Sequence, residues 1–316
     1  MKHHHLLLLF VIFNLSIINI NAQNFISSEV IIENSVCKIY GTLLAPENLD
    51  NKIPVVILIA GSGPTDRDGN NTQISPNSLK FLAQELAKNN IASLRYDKRA
   101  IAKSKIENFK EDSLRFENYV EDAILWIDFL KADKRFSKII VAGHSEGSLI
   151  GMIACNGSNA DKFISLAGAG MPADTIIKIQ LEQNAPSMSE QANIAIDSLK
   201  AGFFVKKYPV ALASIFRKSV QPYLISWFKY NPAVEIAKLK IPTLIIQGNS
   251  DIQVSVENAE LLKAANSNAE YHIIDRMNHI FKDSGPGMNE NLATYYNSNL
   301  PVKPELVKII VDFISK

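Results

Sequence analysis

The 316-residue chain carries 33 Lys and Arg against 32 Asp and Glu, a formal net charge of +1, with 47% apolar residues. That composition supplies apolar surface for a large core and lacks the basic excess on which nucleic-acid binding depends. Two cysteines, Cys37 and Cys155, are too few and too far apart for a disulfide framework or a structural zinc site; at most one disulfide is open to them, and two unpaired thiols, Cys155 buried, is the favoured expectation.

Residues 1–22 read as a secretory signal. Lys2 and three histidines precede an unbroken apolar run from Leu6 to Phe13, and Ala22 offers a small residue for cleavage. Asn14, Asn19 and Asn21 break the run short of the roughly 20 apolar residues of a membrane span. The expectation is cleavage near Ala22 and a secreted or periplasmic protein without a stable membrane span.

The mature chain opens with two β-branched runs, Glu29–Ile32 and Lys38–Leu44, separated by Glu33-Asn34-Ser35, the pattern of an antiparallel hairpin. Short, nearly continuous apolar runs follow at Val55–Ala60, Ile91–Leu94, Ile139–Ala142, Phe163–Ala167, Thr243–Ile246 and Tyr271–Ile274. Runs of this kind are strands buried on both faces of a mostly parallel sheet. Helical patterns alternate with them at Ser78–Lys88, Glu117–Lys131, Ser148–Cys155, Val256–Ala265 and Glu305–Ile314. The fold class is therefore α/β, a doubly wound sheet with an N-terminal antiparallel hairpin.

Residues 171–232 interrupt the alternation. They hold no buried-strand run, show helical periodicity at Thr175–Gln183 and Glu190–Leu199, and carry eight aromatics: Phe203, Phe204, Tyr208, Phe216, Tyr223, Trp227, Phe228 and Tyr230. This segment is expected to be a helical cap inserted between two parts of the core, 23–170 and 233–316. Most of its aromatics should form its own core and a subset should line a pocket.

The chemistry is carried by Gly143-His144-Ser145-Glu146-Gly147, which stands between a strand pattern and a helix pattern. A Gly-x-Ser-x-Gly turn in that context forces a strained backbone on Ser145, aims its hydroxyl away from the sheet, and sets the Glu146 N–H at a helix N-terminus. The serine needs a base. His144 lies inside the turn, and His272 falls within a strand, where a neutral buried imidazole is the ordinary role. His279 follows the last strand in a loop, where a base can reach over the sheet. Asp251, just past Thr243–Gly248, is the carboxylate expected to accept from His279; Asp174 is the alternative, and Asp275 lies too near His279 in sequence. Two N–H donors must receive the charge that develops on a substrate oxygen. Glu146 supplies one, and Ser62, in Ala60-Gly61-Ser62-Gly63-Pro64, is expected to supply the other. The following Asp66-Arg67-Asp68 run suggests an Arg67 held between its acidic neighbours and Glu146, keeping the loop rigid.

These motifs resemble the α/β-hydrolase superfamily. The resemblance rests on the serine turn, the placement of Asp251 and His279, and above all Gly61-Ser62-Gly63-Pro64-Thr65-Asp66-Arg67-Asp68-Gly69. Within the superfamily, Arg95-Tyr96-Asp97-Lys98-Arg99, Ile241–Gly248 and Asn278–Lys282 look like the serine esterases grouped with serine aminopeptidase (S33)-like hydrolases. Ala100 and Ala102 depart from that group, which has glycine there, and Ala60 stands where many hydrolases carry histidine. The resemblance implies hydrolysis of a small carboxylic ester, with short acyl chains expected, through an acyl-enzyme on Ser145, His279 and Asp251, without metal or organic cofactor. The alternative it implies is an aminopeptidase-like hydrolase of small amides or peptides, for which acids such as Asp174, Glu182, Glu190 and Asp197 would have to hold a free α-amine.

Overall fold

The computed structural model describes residues 16–20, 23–34, 36–46 and 51–316. The strands are β1 (Ser16–Ile20), β2 (Gln23–Glu33), β3 (Lys38–Pro46), β4 (Ile53–Ile59), β5 (Ala92–Tyr96), β6 (Phe136–His144), β7 (Lys162–Leu166), β8 (Thr243–Gly248) and β9 (Glu270–Ile274). Among the described residues they form one sheet in the order β1-β2-β3-β5-β4-β6-β7-β8-β9. β2 and β3 pair antiparallel, with Glu33 opposite Lys38, which is the hairpin the β-branched runs predict. From β5 across to β9 every pairing is parallel. The predicted leader lies outside the described residues except for β1, which pairs antiparallel with β2.

The alternation within β4 explains why the sheet is double-faced. Val55, Ile57 and Ile59 enter one apolar cluster with Trp126, Ile150 and Phe163, while Val56, Leu58 and Ala60 enter a second with Leu82, Ile310 and Phe313. Successive side chains of a strand point to opposite faces, so a run without polar residues must be covered on both. The covering helices of the core are α1 (Ser78–Lys88), α2 (Phe116–Ala132) and α3 (Glu146–Asn156), with two more near the C-terminus.

Between β7 and β8 come α4 (Ala173–Asn184), α5 (Pro186–Lys200), α6 (Ala213–Phe216), α7 (Gln221–Trp227) and α8 (Pro232–Ala237). Their third apolar cluster joins Ile196, Leu199, Phe216, Leu224 and Phe228, so this segment has a core of its own. Phe203 and Phe204 stand apart from it, 69% and 60% exposed. The chain closes with α9 (Val256–Ala265), α10 (Met288–Tyr295) and α11 (Pro304–Ser315). The short α6, α7 and α8, and the polar α10, carry too few turns or too weak an apolar stripe to read from periodicity. Cys37 and Cys155 are both free thiols, and burial pushes Cys155 well above the ordinary thiol range. Among the described residues no helix is long and apolar enough to cross a membrane.

Candidate active site

Ser145 sits between β6 and α3 with φ 54° and ψ −121°, a backbone conformation that a residue with a side chain adopts only under constraint. The constraint is close packing. A Cβ on Gly143 would lie 2.0 Å from the Gly147 carbonyl oxygen, and one on Gly147 would lie 2.4 Å from that of Ile59. The turn is therefore as tight as the sequence pattern requires, and Glu146 begins α3. The Ser145 hydroxyl makes no hydrogen bond among the described residues. Its surroundings are assembled from three other loops.

The loop after β8 brings Asp251 and the loop after β9 brings His279. His279 Nδ1 donates to Asp251 Oδ2 at 2.7 Å, and both side chains are almost wholly buried. The carboxylate is fully bonded: Gln253 and Val254 donate their N–H to Oδ1 at 2.7 and 2.9 Å, and Gln247 Nε2 donates to Oδ2 at 2.9 Å. Burial alone would raise the Asp251 carboxyl, but the charge and hydrogen bond of His279 and these backbone donors hold it below its ordinary value. Asp174, the alternative acid, is instead engaged in the cap, 2.5 Å from Lys200 Nζ, and Asp275 accepts from Asn249 at 2.9 Å.

His144 links the serine turn to His279. Its ring lies 4.6 Å from that of His279, centroid to centroid, and its Nε2 bonds the His279 carbonyl oxygen at 2.8 Å. α10 also braces both loops: Asn278 Nδ2 donates to Thr294 Oγ1 at 2.7 Å, and Asn291 Nδ2 donates to the Ser250 carbonyl at 2.6 Å. Sequence reasoning passed over both contacts. The signal for the first was an imidazole beside Ser145; for the second, the asparagine next to His279.

The loop after β4 also packs on Ser145. A Cβ on Gly61 would stand 3.2 Å from Ser145 Cβ, so the Gly61-Ser62 backbone runs directly against the serine. Arg67 does not bond Glu146, contrary to the expectation. Its Nη2 pairs with Asp97 Oδ2 at 2.7 Å, its N–H with Asp97 Oδ1 at 2.8 Å, and its Nη1 with Thr42 at 2.9 Å. Asp68 pairs with Arg95 at 2.9 Å. Glu146 pairs with Lys98 Nζ at 3.2 Å and accepts the Tyr223 hydroxyl. Arg95 and Asp97, at the end of β5, thus tie the loop to the sheet, while Arg99 pairs instead with Asp122 of α2. Ala100 and Ala102, which follow that run, have φ values of 68° and 45°, so alanine occupies the left-handed backbone that glycine would take without strain.

A cavity of about 850 Å³ opens over Ser145, walled by Ser62, Glu146 and Tyr119 from the core and by Ile177, Tyr223 and Trp227 from the cap. The aromatic subset expected to line a pocket is Tyr223 and Trp227. The carboxylates on this cavity are Glu111 and Glu146. Glu111 is held by Arg217, whose hydrogen bond lowers its carboxyl, and by Ser219.

Comparisons with known proteins agree with this architecture. A family model described as serine aminopeptidase, S33, matches residues 77–199. Esterase EstD of Thermotoga maritima is 29% identical over 242 residues, 72% of this chain and 54% of that protein, so the chain spans about half the length of the curated relative it matches. Among solved structures, Est1E from Butyrivibrio proteoclasticus with bound ferulic acid superposes with a TM-score of 0.61 at 18% identity, covering 91% of this chain and 100% of that one. The proline iminopeptidase of Mycobacterium smegmatis superposes with a TM-score of 0.59 at 13% identity, covering 91% and 98%. At such identities the likeness is one of fold.

Proposed function

We propose that this chain, which has the α/β-hydrolase fold and resembles the serine-esterase group, is a serine carboxylic-ester hydrolase working through an acyl-enzyme. The observation that carries the reading is the buried Asp251–His279 pair, tied through His144 to the turn that carries a strained Ser145 on the wall of a cavity. Ser145 Oγ attacks the ester carbonyl carbon while His279 Nε2 takes the hydroxyl proton. Asp251 keeps Nδ1–H as the donor tautomer and stabilises the imidazolium. The carbonyl oxygen, now an oxyanion, is received by the N–H groups of Ser62 and Glu146. The tetrahedral intermediate expels the alcohol, which takes its proton from His279. Water, deprotonated by the same imidazole, then releases the acid and restores Ser145.

Esters are favoured over peptides by the charge inside the cavity. An aminopeptidase needs a free carboxylate for the α-amine. Glu111 and Glu146 are already paired, Asp174 and Asp197 are paired with Lys200 and Lys178, and Glu182 and Glu190 point to solvent. The apolar cap wall suits an acyl chain, with short chains expected first. Residues 1–22 are proposed to direct export, which N-terminal sequencing of the mature protein tests.

The functional test is turnover of p-nitrophenyl esters from acetate to decanoate, with aminoacyl p-nitroanilides alongside, by wild type and Ser145→Ala. Ester turnover abolished by the substitution is the expected result. Anilide turnover without ester turnover would contradict it.

A further inference from the structure

Lys98 is a buried lysine with two partners. Its side chain is 1% exposed, its Nζ lies 2.6 Å from the Gly61 carbonyl oxygen and 3.2 Å from Glu146 Oε2, and it stands 4.8 Å from the Tyr119 ring centroid. A lysine present only to neutralise Glu146 would make its shortest contact to the carboxylate. Here the shortest contact goes to a neutral peptide oxygen.

That oxygen belongs to the peptide unit whose nitrogen is Ser62 N. The unit is trans, as are all peptide bonds among the described residues, so its C=O and N–H point in opposite directions. Whatever holds the Gly61 carbonyl fixes the direction of the Ser62 N–H. Ser62 lines the cavity with Ser145, while Lys98 is fully buried against the Gly61 carbonyl.

We propose that Lys98 is a positioning residue of the oxyanion hole, gripping the Gly61 carbonyl so that Ser62 N–H faces the reacting oxygen. The inference rests on the reading of Ser145 as nucleophile with Ser62 and Glu146 as donors. A charged donor on the carbonyl also polarises the peptide and strengthens its N–H as a donor. Glu146 serves as counter-ion, and it is the residue whose own N–H is the second donor. One ammonium therefore ties both donors together, and the Tyr223 hydroxyl bonded to Glu146 ties the cap to them.

An oxyanion exists in the transition state and not in the bound ester, so loss of Lys98 should appear in kcat and spare KM. The variants are Lys98→Met and Lys98→Met with Glu146→Gln, the second removing the carboxylate that the first leaves unpaired. Each is assayed with p-nitrophenyl acetate, beside wild type and Ser145→Ala, and with an alkyl trifluoromethyl ketone. Ser145 Oγ adds to the ketone carbon, its proton passes to His279, and the carbonyl electron pair becomes a stable hemiketal oxyanion.

The expected result is a kcat loss of about tenfold to a thousandfold in folded protein, a KM within about threefold, and ketone inhibition weakened by a similar factor to kcat. Unchanged kcat and unchanged ketone inhibition, with wild-type turnover dependent on Ser145, would overturn the role of Lys98 and leave the esterase reading standing. A loss confined to KM would overturn it too. Absence of Ser145-dependent turnover in wild type would overturn both. If neither variant folds, the crystal structure of the wild-type ketone adduct decides. A hemiketal oxygen within hydrogen-bond distance of Ser62 N, with Lys98 on the Gly61 carbonyl, supports the proposal, and an oxygen placed elsewhere overturns it.

Discussion

His144 donates its Nε2 proton to the backbone carbonyl oxygen of His279 at 2.8 Å. A carbonyl only accepts, so this bond defines the tautomer of His144. Burial, with the neighbouring His279 charge, pushes the His144 imidazole down to about 3, so it is neutral around neutral pH. The residue beside Ser145 thereby fixes the main chain of His279.

His144→Phe keeps a ring in the same space and removes the donor. The His279 carbonyl is then buried without its partner, at a cost of about 1–3 kcal/mol. We expect that loss in urea unfolding, together with a kcat about tenfold to a hundredfold lower as the imidazole drifts from Ser145. Wild-type values for both would refute the link.

The same imidazole predicts a pH dependence of stability. Its folded value of about 3 lies below the unfolded value of about 6.5. The unfolded chain therefore binds the proton first as pH falls. The contribution is fully present above pH ~6.5 and is lost progressively toward pH ~3. Asp251, held below its ordinary value, loses its contribution in the same direction at lower pH. Melting temperatures from pH 8 to pH 4 should fall more steeply for wild type than for His144→Phe, and a constant gap between the two curves would argue against it.

Ala100→Gly and Ala102→Gly should stabilise the protein. At φ 68° and 45° an alanine carries a strain of about 1–2 kcal/mol, while glycine adds about 0.4–1 kcal/mol of unfolded-state entropy. The net gain expected is about 0.5–1 kcal/mol each, read as a higher urea midpoint with an unchanged slope.

Arg67→Ala leaves Asp97 charged and buried without its main partner. Removing one member of such a pair costs about 3–5 kcal/mol. The loss should appear in chemical denaturation, and an unchanged midpoint would mean that the pair does not hold the loop.

The sheet and the site were legible in different ways. Nearly continuous apolar runs marked β4 to β9, because a strand covered on both faces is mostly apolar even where a small Ser93 or Ser165 is buried in it, and helix ends at Ser78–Lys88 and Val256–Ala265 fell where the pattern put them. The Gly-x-Ser-x-Gly turn was legible because its backbone admits no Cβ at Gly143 or Gly147. What stayed hidden were partners across the fold. Arg67 had adjacent carboxylates in sequence, and nothing local told that Asp97, 30 residues on, would take it instead. Lys98 and Tyr223 meet Glu146 only after the β5 end, the serine turn and the cap are brought together, so no spacing rule could find them.

The central claim is that Ser145 is an activated nucleophile and that Asp251 acts through His279. It is tested most directly by intact-protein mass spectrometry after diethyl p-nitrophenyl phosphate, with wild type, Ser145→Ala and Asp251→Asn. The account predicts one diethylphosphoryl adduct per wild-type chain, mapped to Ser145, none on Ser145→Ala, and labelling of Asp251→Asn slowed by about 10⁴-fold. An adduct on another residue, or Asp251→Asn labelled as fast as wild type, would contradict it.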